Sequence, residues 1–189
     1  MRRAVIAAPL WVERAALRPA RTEVRCTGMG ERRSRRSAQR LRGVALLVAG
    51  VGGGLSEHVR VGDLVVATEV RAPDGTAVVC WGVQPLADDL RRAGLTVHTG
   101  PICTSLRAVA GADRRRLAVS GALAVDMESA WLAPGDGSPF AVVRAISDTI
   151  GQPLLSPAVI GHGLTALRRL RRAVAALDAW ADAAGREPV

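Results

Sequence analysis

Two stretches of the sequence end in acidic side chains, and these carboxylates are the first groups that could do chemistry. The apolar run 122–125 leads to Glu128, and the apolar run 140–143 leads to Asp148. A short helical stretch separates the two runs, which is the pattern of a β-α-β unit with a parallel pair of strands. The carboxyl ends of such strands lie side by side, and ligands bind in the crevice outside them. The sequence therefore predicts that Glu128 and Asp148 face one binding site.

Asp126 precedes Glu128 by two residues and allows a purely structural interpretation. An acid near a helix N-terminus accepts hydrogen bonds from N–H groups that have no partner within the helix. Asp126 or Glu128 could therefore cap the short helix that follows and have no role in binding. From the residues alone, both interpretations stay open.

The composition indicates one soluble α/β domain over residues 1–189. A hydrophobic content of 49% over 189 residues is enough for a single sizeable core. With one Phe and no Tyr, that core must be built from Ala, Val and Leu. No apolar run approaches the roughly 20 residues that a membrane-spanning helix needs.

All 26 basic residues are arginine, and the formal net charge is +9. Such a charge permits attraction to phosphates or anionic membranes, although solvated arginine faces explain it more simply. The helix predicted over residues 31–42 carries six arginines but lacks the aromatic platforms or reading motif of a nucleic-acid-binding protein. We therefore expect no nucleic-acid partner.

Cys26, Cys80 and Cys103 are odd in number and lack metal-ligand spacing, so we expect reduced thiols in a cytoplasmic protein with no metal or cofactor. The opening MRRAVIAAPLW could pass for a short signal peptide. The same residues serve well as a first buried strand, which is the interpretation we favour.

The motifs VDMESA at 125–130 and VVRAISDT at 142–149 together resemble the superfamily of purine nucleoside phosphorylases and methylthioadenosine/adenosylhomocysteine nucleosidases. The resemblance continues upstream, in the family's order, through TGMG at 27–30, LLVAGVGGGL at 46–55 and VRVGDLVVATEV at 59–70. Within the superfamily, the chain looks most like the hopanoid-associated phosphorylase branch.

This resemblance implies a three-layer α/β/α sandwich around a twisted mixed sheet, and cleavage of the N-ribosidic bond of a purine nucleoside. That bond breaks through an oxocarbenium-like sugar, so the departing purine must be protonated and the sugar stabilised. Asp148 is the expected general acid at purine N7, which requires a carboxyl that holds a proton near neutral pH. Ser147 would orient this carboxyl. We expect the Arg144 side chain to point away from the site, since a nearby cation would oppose protonation.

The resemblance also implies roles around the sugar. Glu128 would accept hydrogen bonds from the ribose 2′ and 3′ hydroxyls, and Met127 would pack against the sugar face. Glu13 matches, with a one-residue shift, the family's glutamate that binds the attacking water; alternatively it is an exposed helix acid. Gly50, in the glycine-rich loop, would lie on the sugar and nucleophile side.

The segment from Thr104 to Val109 resembles the family's purine-binding loop, with Leu106 where an aspartate is common. The glycine-rich loop has Val48 and Val51 where the phosphorylases carry an arginine and a serine that hold phosphate. Water is therefore the expected nucleophile. The alternatives are phosphorolysis, a methylthioadenosine/adenosylhomocysteine nucleosidase, and a non-catalytic relative that only binds a purine nucleoside.

The hopanoid-associated branch implies adenosylhopane as the substrate, with ribosylhopane and adenine as products. Because such a lipid-linked nucleoside resides at a membrane, we expect an apolar mouth with Trp81 and Trp131 at its rim. The arginines of residues 32–42 and 168–172 would supply weak attraction to anionic lipid. We also expect a homo-oligomer.

Overall fold

The computed structural model describes residues 2–150 and 157–187. The strands are β1 (Ala4–Ala8), β2 (Glu23–Cys26), β3 (Ala45–Gly54), β4 (Leu64–Arg71), β5 (Ala77–Val79), β6 (Val97–Thr104), β7 (Ala124–Asp126) and β8 (Phe140–Asp148). The helices are α1 (Trp11–Ala16), α2 (Glu31–Arg40), α3 (Val83–Arg92), α4 (Gly111–Val119), α5 (Ser129–Leu132) and α6 (Pro157–Ala184).

The strands form one mixed sheet, in which five strands close into a ring. β3 pairs in parallel with β8, and β8 pairs antiparallel with β4. β4, β6 and β7 then pair in parallel, and β7 returns antiparallel to the end of β3. β1 and β2 extend the sheet from the start of β3, and β5 extends it from β4. The predicted α/β fold with a mixed central sheet is thus confirmed.

The predicted parallel pairing of β7 with β8 is wrong, because β3 lies between these two strands. β3 is ten residues long, so it pairs with β1 at its start and with β7 at its end. Gly53 of β3 lies opposite Val125 on one side and opposite Asp148 on the other. The ends of β7 and β8 therefore meet across the glycines of β3, even though the strands do not pair.

Helices cover both faces of the sheet. α1, α3 and α6 pack on one face, while α2 and α5 pack together on the other. Alternate residues of each strand supply the two cores, as in β1, where Ile6 and Ala8 face α6 while Val5 and Ala7 face the opposite layer. Since Ala, Val and Leu make up most of both cores, the prediction from composition is confirmed.

The heptad-like spacing of apolar residues near the end of the sequence predicts a last helix over residues 163–184, with Leu167, Leu170, Val174, Leu177, Ala181 and Ala184 on one face. In the structure this helix, α6, begins earlier, at Pro157. Of these residues, Leu170, Val174, Leu177, Ala181 and Ala184 are buried, and Leu167 is partly buried against the same core. Arg168, Arg171 and Arg172 are exposed, in agreement with the heptad-like spacing of the apolar residues. None of the helices in the described part of the chain combines the length and the apolar composition needed to cross a bilayer. All three cysteines are free.

Candidate active site

A cavity of about 270 Å³ opens where β3, β7 and β8 end, close to the lower limit of roughly 300 Å³ for small-molecule pockets. Six of the eight predicted site residues line it: Glu13, Val109, Met127, Glu128, Ser147 and Asp148. The other two, Gly50 and Thr104, lie behind this lining and support it. These residues come from four separate parts of the sequence, and the closed ring of strands brings them together.

Glu13 is buried in the first helix and is not the exposed acid of the alternative interpretation. Its Oε2 accepts a hydrogen bond from the N–H of Leu10 at 2.7 Å, which caps the start of α1. Its Oε1 accepts one from the N–H of Val51 at 2.7 Å, which ties the helix to β3. Burial raises the pKa of Glu13 above its usual value, although nearby Arg144 and both backbone donors act in the opposite direction.

Gly50 makes room for the Glu13 carboxylate. A Cβ atom at position 50 would lie 2.6 Å from Oε1 of Glu13 and 2.6 Å from Nη1 of Arg144. Any side chain there would therefore displace both charged groups. Gly50 contributes to the site through this close approach, and it does not line the cavity itself.

Asp126 caps the short helix α5, as its structural interpretation predicts. Its Oδ1 accepts hydrogen bonds from the N–H groups of Glu128 and Ser129, both at 3.1 Å, and from the hydroxyl of Thr104 at 2.8 Å. The Thr104 hydroxyl in turn accepts a hydrogen bond from the N–H of Ala130 at 2.9 Å. Thr104 therefore orients Asp126 from behind and does not reach the cavity.

Glu128 lies just before α5 with its carboxylate at the cavity wall, and its hydrogen bonds are long. Oε1 accepts from the N–H of Gly30 at 3.3 Å, and Oε2 accepts from its neighbour Met127 at 3.3 Å and from Arg144 at 3.4 Å. Burial raises the pKa of Glu128, Arg144 opposes this, and the Asp126 carboxylate adds to it. Such loosely held oxygens can accept shorter hydrogen bonds from a ligand.

Arg144 does not point away from the site, so that prediction is wrong. The side chain is fully buried on the sheet face that α2 and α5 cover. Its Nε donates to Oδ2 of Asp126 at 2.9 Å and its Nη2 to Ser129 Oγ at 3.1 Å, close to Glu128. Burial alone would lower the pKa of Arg144, but the carboxylates of Asp126, Glu128 and Glu13 outweigh it and raise this pKa.

Asp148 is buried at the end of β8, and both of its carboxylate oxygens have partners. Oδ1 accepts a hydrogen bond from the hydroxyl of Ser147 at 2.8 Å, the contact predicted for this pair. Oδ2 forms an ion pair with Arg114 of α4. The cation beside Asp148 is therefore Arg114, while Arg144 belongs to the opposite wall.

Arg114 was not identified from the sequence as a site residue. It begins a run of three arginines, of which only one can face the sheet when the run is helical. Arg115 and Arg116 are exposed, whereas Arg114 is buried and lines the cavity. The short α4 has few apolar residues that could show its phase, so periodicity does not reveal which arginine faces inward.

Leu10, Met29 and Val109 contribute apolar side chains to the lining of the cavity. Neither Trp81 nor Trp131 lies there, which corrects the predicted rim. Trp81 packs edge to face against Trp180, and Trp131 lies beneath the guanidinium of Arg35. Each ring joins two elements of the same helical layer, away from the cavity: Trp81 contacts α6 beside the start of α3, and Trp131 joins α5 to α2.

The charges of the site divide into two groups. Glu13, Asp126 and Glu128 surround the single cation of Arg144, whereas Asp148 pairs one to one with Arg114. In residues 2–150 and 157–187, no group of three or more His, Cys, Asp or Glu side chains is placed to hold a metal ion. The arrangement can bind a polar ligand between hydrogen-bond acceptors, exchange a proton with it and stabilise positive charge.

Known proteins resemble this chain in both sequence and fold. The 5′-methylthioadenosine/S-adenosylhomocysteine nucleosidase of Haemophilus ducreyi is 35% identical over 124 residues, which are 52% of this chain and 53% of that protein. The chain thus matches about half the length of this curated relative.

Solved structures show the same fold at low sequence identity. The Helicobacter pylori 5′-methylthioadenosine/S-adenosylhomocysteine nucleosidase with butyl-thio-DADMe-Immucillin-A has a TM-score of 0.82 at 18% identity, covering 95% of this chain and 99% of that chain. The futalosine hydrolase of Helicobacter pylori has a TM-score of 0.81 at 17% identity, covering 93% and 97% of the two chains. A model of the phosphorylase superfamily matches residues 24–178. With most of its length matched in this way, the chain belongs to the phosphorylase superfamily.

Proposed function

We propose that this chain cleaves the N-ribosidic bond of a purine nucleoside, with water as the nucleophile. The observation that carries the proposal is the convergence of Glu13, Glu128 and Asp148 on one cavity from three different elements. Cleavage needs a proton for the departing purine, negative charge near the developing sugar cation, and a group that activates the nucleophile. Each carboxyl can meet one of these needs.

Asp148 is the proposed proton donor to purine N7. The hydroxyl of Ser147 and the guanidinium of Arg114 hold its carboxyl from two sides, so the side chain is oriented before the substrate arrives. Preorganisation of this kind lowers the barrier because the donor does not have to be positioned during the reaction. A guanidinium also favours the ionised form of a carboxyl beside it, so the benefit of Arg114 to a proton donor lies in orientation alone.

Glu128 is the proposed acceptor for the ribose 2′ and 3′ hydroxyls, next to Met127, which would pack against the sugar face. The buried carboxylates around Arg144 outnumber their cation by three to one. A sugar that gains positive charge in the transition state is favoured by this negative surplus, whereas the neutral ground-state sugar gains less. The wall is therefore suited to raising turnover.

Glu13 is the proposed base for the attacking water. Its raised pKa makes it a stronger proton acceptor than an exposed glutamate. Phosphate would be repelled by the carboxylates of Glu13 and Glu128, and Arg107 and Arg114, the arginines that line the cavity, are already paired with Asp113 and Asp148. Water is therefore the better nucleophile here.

An adenine-release assay tests this function. Purified protein is incubated with adenosine, methylthioadenosine, adenosylhomocysteine and a nucleoside with a bulky apolar 5′ group, each with and without phosphate. We expect adenine and a free ribosyl product, at rates that do not depend on phosphate. Strict phosphate dependence with a ribose 1-phosphate product would show phosphorolysis. Binding of a nucleoside without turnover would support the non-catalytic alternative.

The finer proposal is a substrate with a large apolar 5′ group, of which adenosylhopane, giving ribosylhopane and adenine, is the named example. The apolar lining residues Leu10, Met29 and Val109 support it, and the side chain of Met29 is half exposed. Apolar surface that is open to water is a common mark of a site that binds an apolar partner.

Weak binding to anionic membranes belongs to the same proposal, with one change in the residues involved. α2 begins at the residue after Gly30, whose N–H contacts Glu128, so the first turn of α2, with Arg32 and Arg33, lies near the cavity. Arg168, Arg171 and Arg172 lie on α6, which packs on the opposite face of the sheet. One flat membrane cannot contact both groups, and the arginines of α2 are the better candidates.

Liposome sedimentation separates the finer proposal from the general one. We expect reversible binding to anionic vesicles at low salt, weakened by added salt, and faster cleavage when the 5′ group is bulky and apolar. If methylthioadenosine is cleaved efficiently, with no gain from an apolar extension and no vesicle binding, the lipid proposal is wrong and the nucleosidase proposal stands.

A further inference from the structure

Arg114 is a buried cation that neither transfers a proton nor stabilises the sugar in the proposed chemistry. It is 3% exposed. Its Nε and Nη2 donate to the carbonyl of Gly54 at 3.2 and 3.0 Å, and Nη2 also donates to the carbonyl of Asp148 at 3.0 Å. Its Nη1 contacts the Asp148 carboxylate. One guanidinium therefore holds both the backbone and the side chain of Asp148.

These contacts lie where the pairing of β3 with β8 becomes irregular. Gly52 lies opposite Ile146, but Gly53 lies opposite Asp148, so Ser147 is an extra residue in β8. An extra residue of this kind disrupts the ladder locally and re-aims the side chains beside it. Arg114 spans this point and joins the strand ends through the carbonyls of Gly54 and Asp148.

The fit of the guanidinium depends on a glycine in β3. A Cβ atom at Gly53 would lie 2.5 Å from Nη2 of Arg114 and 3.4 Å from Oδ2 of Asp148. The guanidinium can approach the strand only because position 53 has no side chain. Arginine presents its donors in a rigid planar fork, so this approach fixes where the Asp148 carboxyl points.

We propose that Arg114 is a positioning residue for the proton donor, holding the Asp148 carboxyl in the orientation that reaches purine N7. The proposal rests on the proposed function of Asp148. The carboxylates on the other side of the same cavity, at Glu13, Asp126 and Glu128, form no hydrogen bond with the Asp148 carboxyl, whereas Arg114 and Ser147 do. Loss of Arg114 would leave Ser147 as the polar side chain that orients it.

Arg114→Met tests the proposal, because methionine keeps much of the length but loses the charge and all donors. We expect kcat to fall by roughly 10²-fold, the effect of misplacing a catalytic group by about 1 Å, while KM changes by less than about threefold. Arg114→Lys should recover part of this loss, since an ammonium can still reach the carboxylate. Arg115→Met, an exposed neighbour on the same helix, is the matched control and should retain wild-type turnover.

A double-mutant cycle distinguishes positioning from a general structural effect. If Arg114 acts through Asp148, adding Arg114→Met to Asp148→Asn should lower kcat by no more than about twofold, because the proton donor is already lost. The proposal would be overturned if Arg114→Met lowered kcat as much in the Asp148→Asn background as it does in the wild type. The Arg114→Lys variant in the same two backgrounds keeps the test decisive where Arg114→Met fails to fold.

Urea unfolding of the wild type, Arg114→Met, Asp148→Asn and the double variant measures the interaction energy between the two side chains independently of catalysis. Coupling in unfolding free energy together with non-additive kcat supports the proposal. Coupling in unfolding with additive losses of kcat would show that the ion pair is structural and would overturn it. A wild-type protein that cleaves no nucleoside would overturn the proposed function, and the positioning role with it, even when the unfolding data show the pair.

Discussion

The two walls of the cavity use a buried arginine in opposite ways. On one wall, which we call the acidic wall, Arg144 serves the three carboxylates of Glu13, Asp126 and Glu128. On the other wall, Arg114 serves the single carboxylate of Asp148. Both arginines also donate to carbonyls of β3, at Val51 and Gly54, so the same strand anchors both walls.

The difference in charge ratio indicates different tasks. With three carboxylates for one cation, the acidic wall is under-neutralised, and burial raises the pKa values of Glu13 and Glu128. Such a wall gains most when a ligand becomes cationic. The balanced Arg114–Asp148 pair instead holds one carboxyl in one place. This division fits the proposed substrate. The acidic wall would face the ribosyl cation, and the Arg114–Asp148 pair would face the purine, which needs an oriented proton donor.

Removal of the shared cation should break the acidic wall and have the largest effect. We expect Arg144→Met to lower the free energy of unfolding by roughly 3–5 kcal/mol at neutral pH, since it leaves buried carboxylates without their partner. The loss should shrink in acid, where these carboxyls are protonated and no longer need a cation. Urea unfolding at several pH values measures this, with Arg36→Met on exposed α2 as the control. A loss below about 1 kcal/mol would contradict the assigned charge pattern.

Removal of the proton donor should break the other wall without unfolding it. Because an amide has no proton of comparable acidity, Asp148→Asn should lower turnover by roughly 10²-fold or more. The measurement is adenine release by a variant whose circular dichroism and melting temperature match those of the wild type. Turnover near the wild-type rate in that variant would remove Asp148 from the mechanism.

A charge-neutral change at Glu128 sharpens the distinction between binding and chemistry. Glu128→Gln keeps the shape but loses the charge that favours the cationic sugar, so turnover should fall by roughly 10-fold while ground-state affinity weakens less. Steady-state kinetics together with direct binding of a non-cleaved nucleoside analogue separate the two effects. A rise in KM with unchanged kcat would show that Glu128 only holds the substrate.

The smallest expected effect concerns stability and pH. Because the pKa of Glu13 is raised in the folded protein, its carboxyl favours folding most when it is protonated, below its unfolded value near 4.5. This contribution is lost as the pH rises through the folded pKa. We therefore expect the stability of Glu13→Gln, measured relative to the wild type, to be highest at neutral pH and to fall towards pH 4.5. The relative stability of Glu128→Gln should depend on pH in the same direction. Melting curves of both variants and of the wild type from pH 4 to 8 provide the measurement.

Local signals in the sequence were sufficient for the strands, the last helix and the closest contacts of the site. β1, β3 and β8 are apolar runs whose identity does not depend on their partners, and α6 has a clear apolar stripe. The contact of Ser147 with Asp148 joins adjacent residues, so it could be predicted without a fold. The apolar runs predicted the β-α-β pattern and placed Glu128 and Asp148 at one site, and the resemblance of ordered motifs supplied the remaining predicted site residues.

The assignment of arginines to carboxylates was decided by tertiary structure alone. Arg144 and Arg114 come from a chain whose basic residues are all arginine, so residue type does not distinguish them. Which arginine lies beside Asp148 depends on the position of β3 between β7 and β8 and on the extra residue at Ser147. It also depends on which residue of α4 faces the sheet, and that residue is Arg114. Periodicity reports which face a residue occupies in its own element, but ion pairs form between elements, and only the closing of the sheet brings those elements together.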